Sequence, residues 1–66
     1  MRPRVGQVWR SRRTGELVTL VEVWFATREG EDVSRVVMHF ARGGAWEMRL
    51  GEFEEAFEPV CSRGER

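Results

Sequence analysis

A mainly β fold is predicted by this sequence: an SH3-like small barrel, or a curled antiparallel meander of four to five strands, with one short C-terminal helical turn. Three observations predict it. Residues 17–27 are rich in branched and aromatic side chains, the strongest strand signal in the chain. Two glycine-bearing polar turns, at 28–32 and 42–44, then separate further short apolar runs at hairpin spacing. After Leu50 the apolar period changes, with Leu50, Phe53 and Phe57 at i, i+3 and i+7 and glutamates between them.

The elements follow in order. Residues 6–10 read as a short strand on Val8 and Trp9, ended by the polar turn Ser11, Arg12, Arg13, Thr14, Gly15. In the long strand, Leu17, Thr19, Val21, Val23 and Phe25 alternate onto one face, expected inward. Val18, Leu20, Glu22, Trp24 and Ala26 take the other. Both faces are largely apolar, which suits a bent strand shared between two sheets. Residues 33–41 form the next strand, with Val36, Met38 and Phe40 opposite in phase to Arg35, Val37 and His39. Residues 45–50 put Trp46, Met48 and Leu50 one way and Glu47 and Arg49 the other. Residues 51–57 form the helical turn, with Glu52, Glu54 and Glu55 near its start and Pro59 ending it, and Val60 adds a last strand residue. One domain is expected over residues 1–60, with a flexible tail at 61–66. The expected core is Val8, Leu20, Val21, Val23, Val36, Met38, Trp46, Leu50 and Phe53.

Composition bounds the function. A chain of 66 residues has room for one domain and a marginal core. Cys61 is the only cysteine, so no internal disulfide and no cysteine-pair zinc site can form; it reads as a small apolar residue in a reducing cytoplasm. No apolar run approaches the roughly 18 residues that cross a bilayer, and no signal peptide is apparent, so no membrane partner is expected. Every base is arginine, and lysine, isoleucine, asparagine and tyrosine are absent, a bias best explained by a GC-rich genome. Eleven acids balance eleven bases, which argues against a generic nucleic-acid binder. The charges are nevertheless polarised: Arg2, Arg4, Arg10, Arg12 and Arg13 precede any acid, whereas Glu47, Glu52, Glu54, Glu55 and Glu58 face Arg49 alone.

Chemistry-bearing motifs are missing. His39 is the only histidine and lies mid-strand, out of phase with Met38 and Phe40, so it is expected to face solvent or pack at an edge. The hydroxyl residues sit in no nucleophile motif, and Gly43 with Gly44 is a hairpin signal rather than a phosphate loop. Glu54 and Glu55 read as a solvated helix face. No enzyme activity, cofactor or metal is expected. Trp9, Trp24 and Trp46 are read first as core. Trp24 is the exception, because it shares its face with Glu22 and Ala26 while Val21, Val23 and Phe25 line the other. An exposed tryptophan anchors a peptide or stacks a base. Arg10, Arg12 and Arg13 flank the first loop and would form an anion-contacting rim. The expected binding surface is therefore Trp24 with Arg10, Arg12 and Arg13.

The pattern Val36-Val37, Gly43-Gly44, then W-x-x-x-L-x-x-F at Trp46, Leu50 and Phe53, resembles a family of short bacterial and phage proteins of a domain without assigned function, which read as small SH3-like barrels. The opening G-x-V-W with an arginine-glycine turn (Gly6, Val8, Trp9, Arg13, Gly15) is similar to the start of small phage-encoded barrels of GC-rich hosts. The family usually has arginine-proline between its tryptophan and leucine, where this chain has Glu47, Met48 and Arg49. The resemblance implies an SH3-like barrel and an accessory protein, phage- or mobile-element-encoded. It supplies no substrate and no catalytic residue.

The expected function is a small non-enzymatic interaction module, cytoplasmic, docking on a protein partner. The alternative is a nucleic-acid-associated barrel of Tudor or KOW type that uses Arg10, Arg12, Arg13 and Trp24. A homodimer is also expected, pairing the arginine-rich first strand with the glutamate-rich helix of its mate.

Overall fold

The computed structural model describes residues 2–60; the expected tail at 61–66, with Cys61, lies outside the described residues. Branched and aromatic runs become strands, and the 3.6-period run becomes the helix. The order is β1 (Val8–Ser11), β2 (Leu17–Trp24), β3 (Thr27–Arg28), β4 (Glu31–Asp32), β5 (Arg35–Phe40), β6 (Ala45–Arg49), α1 (Leu50–Ala56) and β7 (Phe57–Pro59). Five strands form one antiparallel sheet in the order β6-β5-β2-β1-β7, while β3 and β4 pair as a separate ribbon. The sheet does not close into a barrel, because β6 and β7 are both edges. The fold is the mainly β meander, with α1 carrying the chain back to the first strand.

A tight turn sets the register between β2 and β5. Glu29 and Gly30 both have positive φ (53° and 82°), the backbone of a two-residue hairpin whose twist matches its strands. They place Arg28 opposite Glu31 and Thr27 opposite Asp32. The same register runs on into the main sheet, pairing Trp24 with Arg35, Val23 with Val36 and Glu22 with Val37. Then it slips by one: Leu20 pairs with Met38, Thr19 with His39 and Val18 with Phe40. Val21 is the extra residue of a β-bulge.

The bulge corrects the expected phase of β2. A one-residue slip moves every following side chain to the opposite face. Before the bulge Val18 and Leu20 are buried, and Leu17 and Thr19 are exposed; after it Val23 packs against the core and Trp24 turns outward. Alternation without the bulge had placed Leu17 and Thr19 inward. Three further expected core residues are corrected. Val21 is half-buried at the bulge, Val8 faces the outer side beside Thr19, and Trp46 lies on the inner side but at the edge strand, where no neighbour covers it.

The core lies between one sheet face and α1. Trp9, Val18, Leu20, Val36 and Met38 come from the sheet, and Leu50, Phe53 and Phe57 from the helix and the start of β7. Phe53 is fully buried, with its ring centroid 4.7 Å from Trp9 and 4.9 Å from Phe57. The Trp9 indole N–H donates to the Gln7 side-chain oxygen (3.1 Å), which also accepts from the Arg4 amide (2.9 Å). The chain's only side-chain amide thus satisfies its most buried polar aromatic. Where the β3–β4 ribbon leaves the sheet, the Ala26 amide donates to the hydroxyl of buried Ser34 (3.0 Å), and the Ser34 amide donates to Asp32 (2.9 Å).

Phe53→Ala should cost about 3–5 kcal/mol, a large share of a small domain's stability, read as a drop in denaturation midpoint. The Ser34 hydroxyl and then its amide hold the Asp32 carboxyl below its ordinary 3.8. A lowered folded value means the stabilisation is present above the ordinary value and is lost as pH falls through the folded one. The Ser34 amide resonance should therefore shift on acidification below pH 3.8, and this shift should vanish in Asp32→Asn.

Candidate functional site

Among the described residues, only one face of the sheet is covered. The outer face carries Val8, Arg10, Leu17, Thr19, Glu22 and Trp24 from β1 and β2, and Arg35, Val37, His39, Ala45, Glu47 and Arg49 from β5 and β6. Trp24 is 50% exposed, and Val8 and Leu17 are exposed with it. Cross-strand pairing sets Trp24, Arg35 and Arg49 in one row over three adjacent strands, which neighbouring strands space about 4.8 Å apart. Arg35 leans off the row, its Nε donating to Glu47 at 2.7 Å. Arg49 makes no ion pair among the described residues. Phe25, 54% exposed, follows Trp24 and lies under the Arg2 guanidinium, 5.0 Å from the ring centroid.

The arginines expected beside Trp24 lie elsewhere. Arg10 is opposite Leu17, at the other end of β2, roughly 20 Å along the strand from Trp24. It is occupied: its Nε and Nη2 both donate to one oxygen of Glu58, at 3.0 and 2.7 Å. Arg12 approaches the second Glu58 oxygen at 3.6 Å. Arg12 and Arg13 instead flank an open depression of about 430 Å³ between the first turn and the end of α1, floored by Phe40 and Phe57 and rimmed also by Glu16 and Glu55. The structure therefore divides the expected surface in two and brings Arg35 and Arg49, not Arg10, Arg12 and Arg13, to Trp24.

A signal for Arg35 and Arg49 is present in the sequence. The two-residue turn at Glu29 and Gly30 dictates that 24 faces 35, and the Gly43-Gly44 turn sets 35 opposite 49. Counting out from the turns finds the row; reading local charge along the chain does not.

His39 is exposed, opposite Thr19 and Ala45, with no acid across the strand. No group of three or more His, Cys, Asp or Glu among the described residues could hold a metal ion, and no described helix is long and apolar enough to cross a membrane. Against known protein families, curated proteins and solved structures the chain gives no match. Trp24→Ala should change stability by less than about 1 kcal/mol, because the indole is half in water and outside the core. Denaturant titration checks this; a larger loss would make Trp24 a structural residue.

Proposed function

We propose that this chain is a non-enzymatic interaction module that docks a protein partner on the open outer face of its sheet, with Trp24 as the anchor. The observation that carries the reading is the bulge at Val21, which turns a tryptophan out onto a face that no other layer covers among the described residues. A half-exposed indole flanked by Arg35 supplies a large apolar contact next to planar hydrogen-bond donors, the residue pairing that dominates protein–protein hot spots.

Charge favours a protein over a nucleic acid. The outer face holds Arg10, Arg35 and Arg49 against Glu22, Glu47 and Glu58, three of each sign. A phosphate backbone needs an excess of cations along its path. Arg10 and Arg12, the best placed by sequence to supply one, are drawn to Glu58.

Affinity capture from a cytoplasmic extract, with and without nuclease, tests the reading when wild type and Trp24→Ala are run side by side. The expected result is a protein retained after nuclease and lost with Trp24→Ala, at a cost to binding of about 2 kcal/mol or more. Equal capture by the variant, or nuclease-sensitive capture with a steep salt dependence, would overturn it.

A further inference from the structure

We infer that β6 is the interface of a homodimer in which two copies pair antiparallel through their free edges, each copy's Arg49 meeting the other's Glu47. The inference is independent of the partner that docks on Trp24.

The two edges of the sheet differ. β7 is three residues long and ends in Pro59, which has no amide to donate. β6 is five residues, without proline or bulge. Its hydrogen-bonding phase follows from its neighbours in register. The Phe40 amide donates to the Gly44 carbonyl (3.0 Å) and the Leu50 amide to the Ser34 carbonyl (2.8 Å), so Trp46 and Met48 also bond toward β5. The amides and carbonyls of Ala45, Glu47 and Arg49 therefore point away from the sheet, a template for another strand.

The charges on this edge select a register. Arg35 and Arg49 stand directly opposite on the outer face, a like-charge pair. Arg35 escapes by bonding one oxygen of Glu47, which leaves Arg49 uncompensated and the other Glu47 oxygen unengaged among the described side chains. A two-fold axis through Glu47 would face glutamate with glutamate, and one through Arg49 arginine with arginine. An axis through Met48 puts Glu47 opposite Arg49 twice, with their outward backbone groups exchanging hydrogen bonds. On the inner side it brings Trp46, 60% exposed in the single chain, diagonally against Met48 of the second copy. The dimer expected from end-to-end polarity is a different one: Arg10 and Arg12 already meet Glu58 within the chain.

So short a seam gives a weak, concentration-dependent dimer. Sedimentation velocity on the full chain, from micromolar to millimolar at low salt, tests it. Wild type should move from monomer to dimer across the range. Glu47→Arg and Arg49→Glu, each confirmed folded by circular dichroism, should weaken self-association by about tenfold or more. An equimolar mixture of the two should recover it, because arginines at both positions then face glutamates at both. The double variant should recover it alone. A wild type monomeric throughout, single variants that dimerise as wild type does, or a mixture that stays monomeric would each overturn the inference.

Discussion

The packing of Phe53 between Trp9 and Phe57 holds the molecule together. A five-stranded sheet of this size needs a second layer to bury one face, and among the described residues that layer is the seven residues of α1. A helix that short is unstable alone, so its position is set by the two apolar residues it drives into the sheet, Leu50 and Phe53. Phe57, at its end, then starts β7 in register with Ser11, which joins the last strand to the first. One aromatic cluster thus positions the helix, fixes the return of the chain and determines which sheet face remains open.

The bulge at Val21 is the second constraint. It lets one strand serve two masters: Val18 and Leu20 fill the core beside Trp9 and Met38, while Val23 keeps the core contact beyond the slip and Trp24 is sent outward. A regular strand would bury either the first pair or the last residue, never both. The apolar content of both faces of β2 reflects this change of phase rather than membership in two sheets.

The chain is neutral because its acids and bases are equal in number, eleven of each, and several of them meet in ion pairs. Glu58 lies on β7, which the fold lays beside β1, so the acidic end of the sequence neutralises the basic end. Arg42 likewise pairs with Glu16 across the strand ends, and Arg35 with Glu47. These exposed pairs add little stability. They engage Arg10, Arg12, Arg35 and Arg42, whereas Arg49, at the edge of the open face, makes no ion pair among the described residues.

The sequence by itself determined the mainly β class, the two hairpins, the helical turn after Leu50, and the inward phase of Val36, Met38 and Phe53. Each depends on local backbone preference or a period of a few residues, which neighbours in sequence decide. The outward turn of Trp24 was also legible, though on a phase argument that put Leu17 and Thr19 on the wrong side. Only the tertiary structure decided the bulge, because an extra residue in β2 is defined by its partner β5 and leaves no mark on β2 alone. It decided the fate of Trp46 as well, since an inward-facing residue is buried only if a further strand or helix lies over it, and β6 is an edge. It separated Arg10, Arg12 and Arg13 from Trp24 and set Arg35 and Arg49 beside it, because residues close in sequence sit at opposite ends of a strand while residues far apart meet across one.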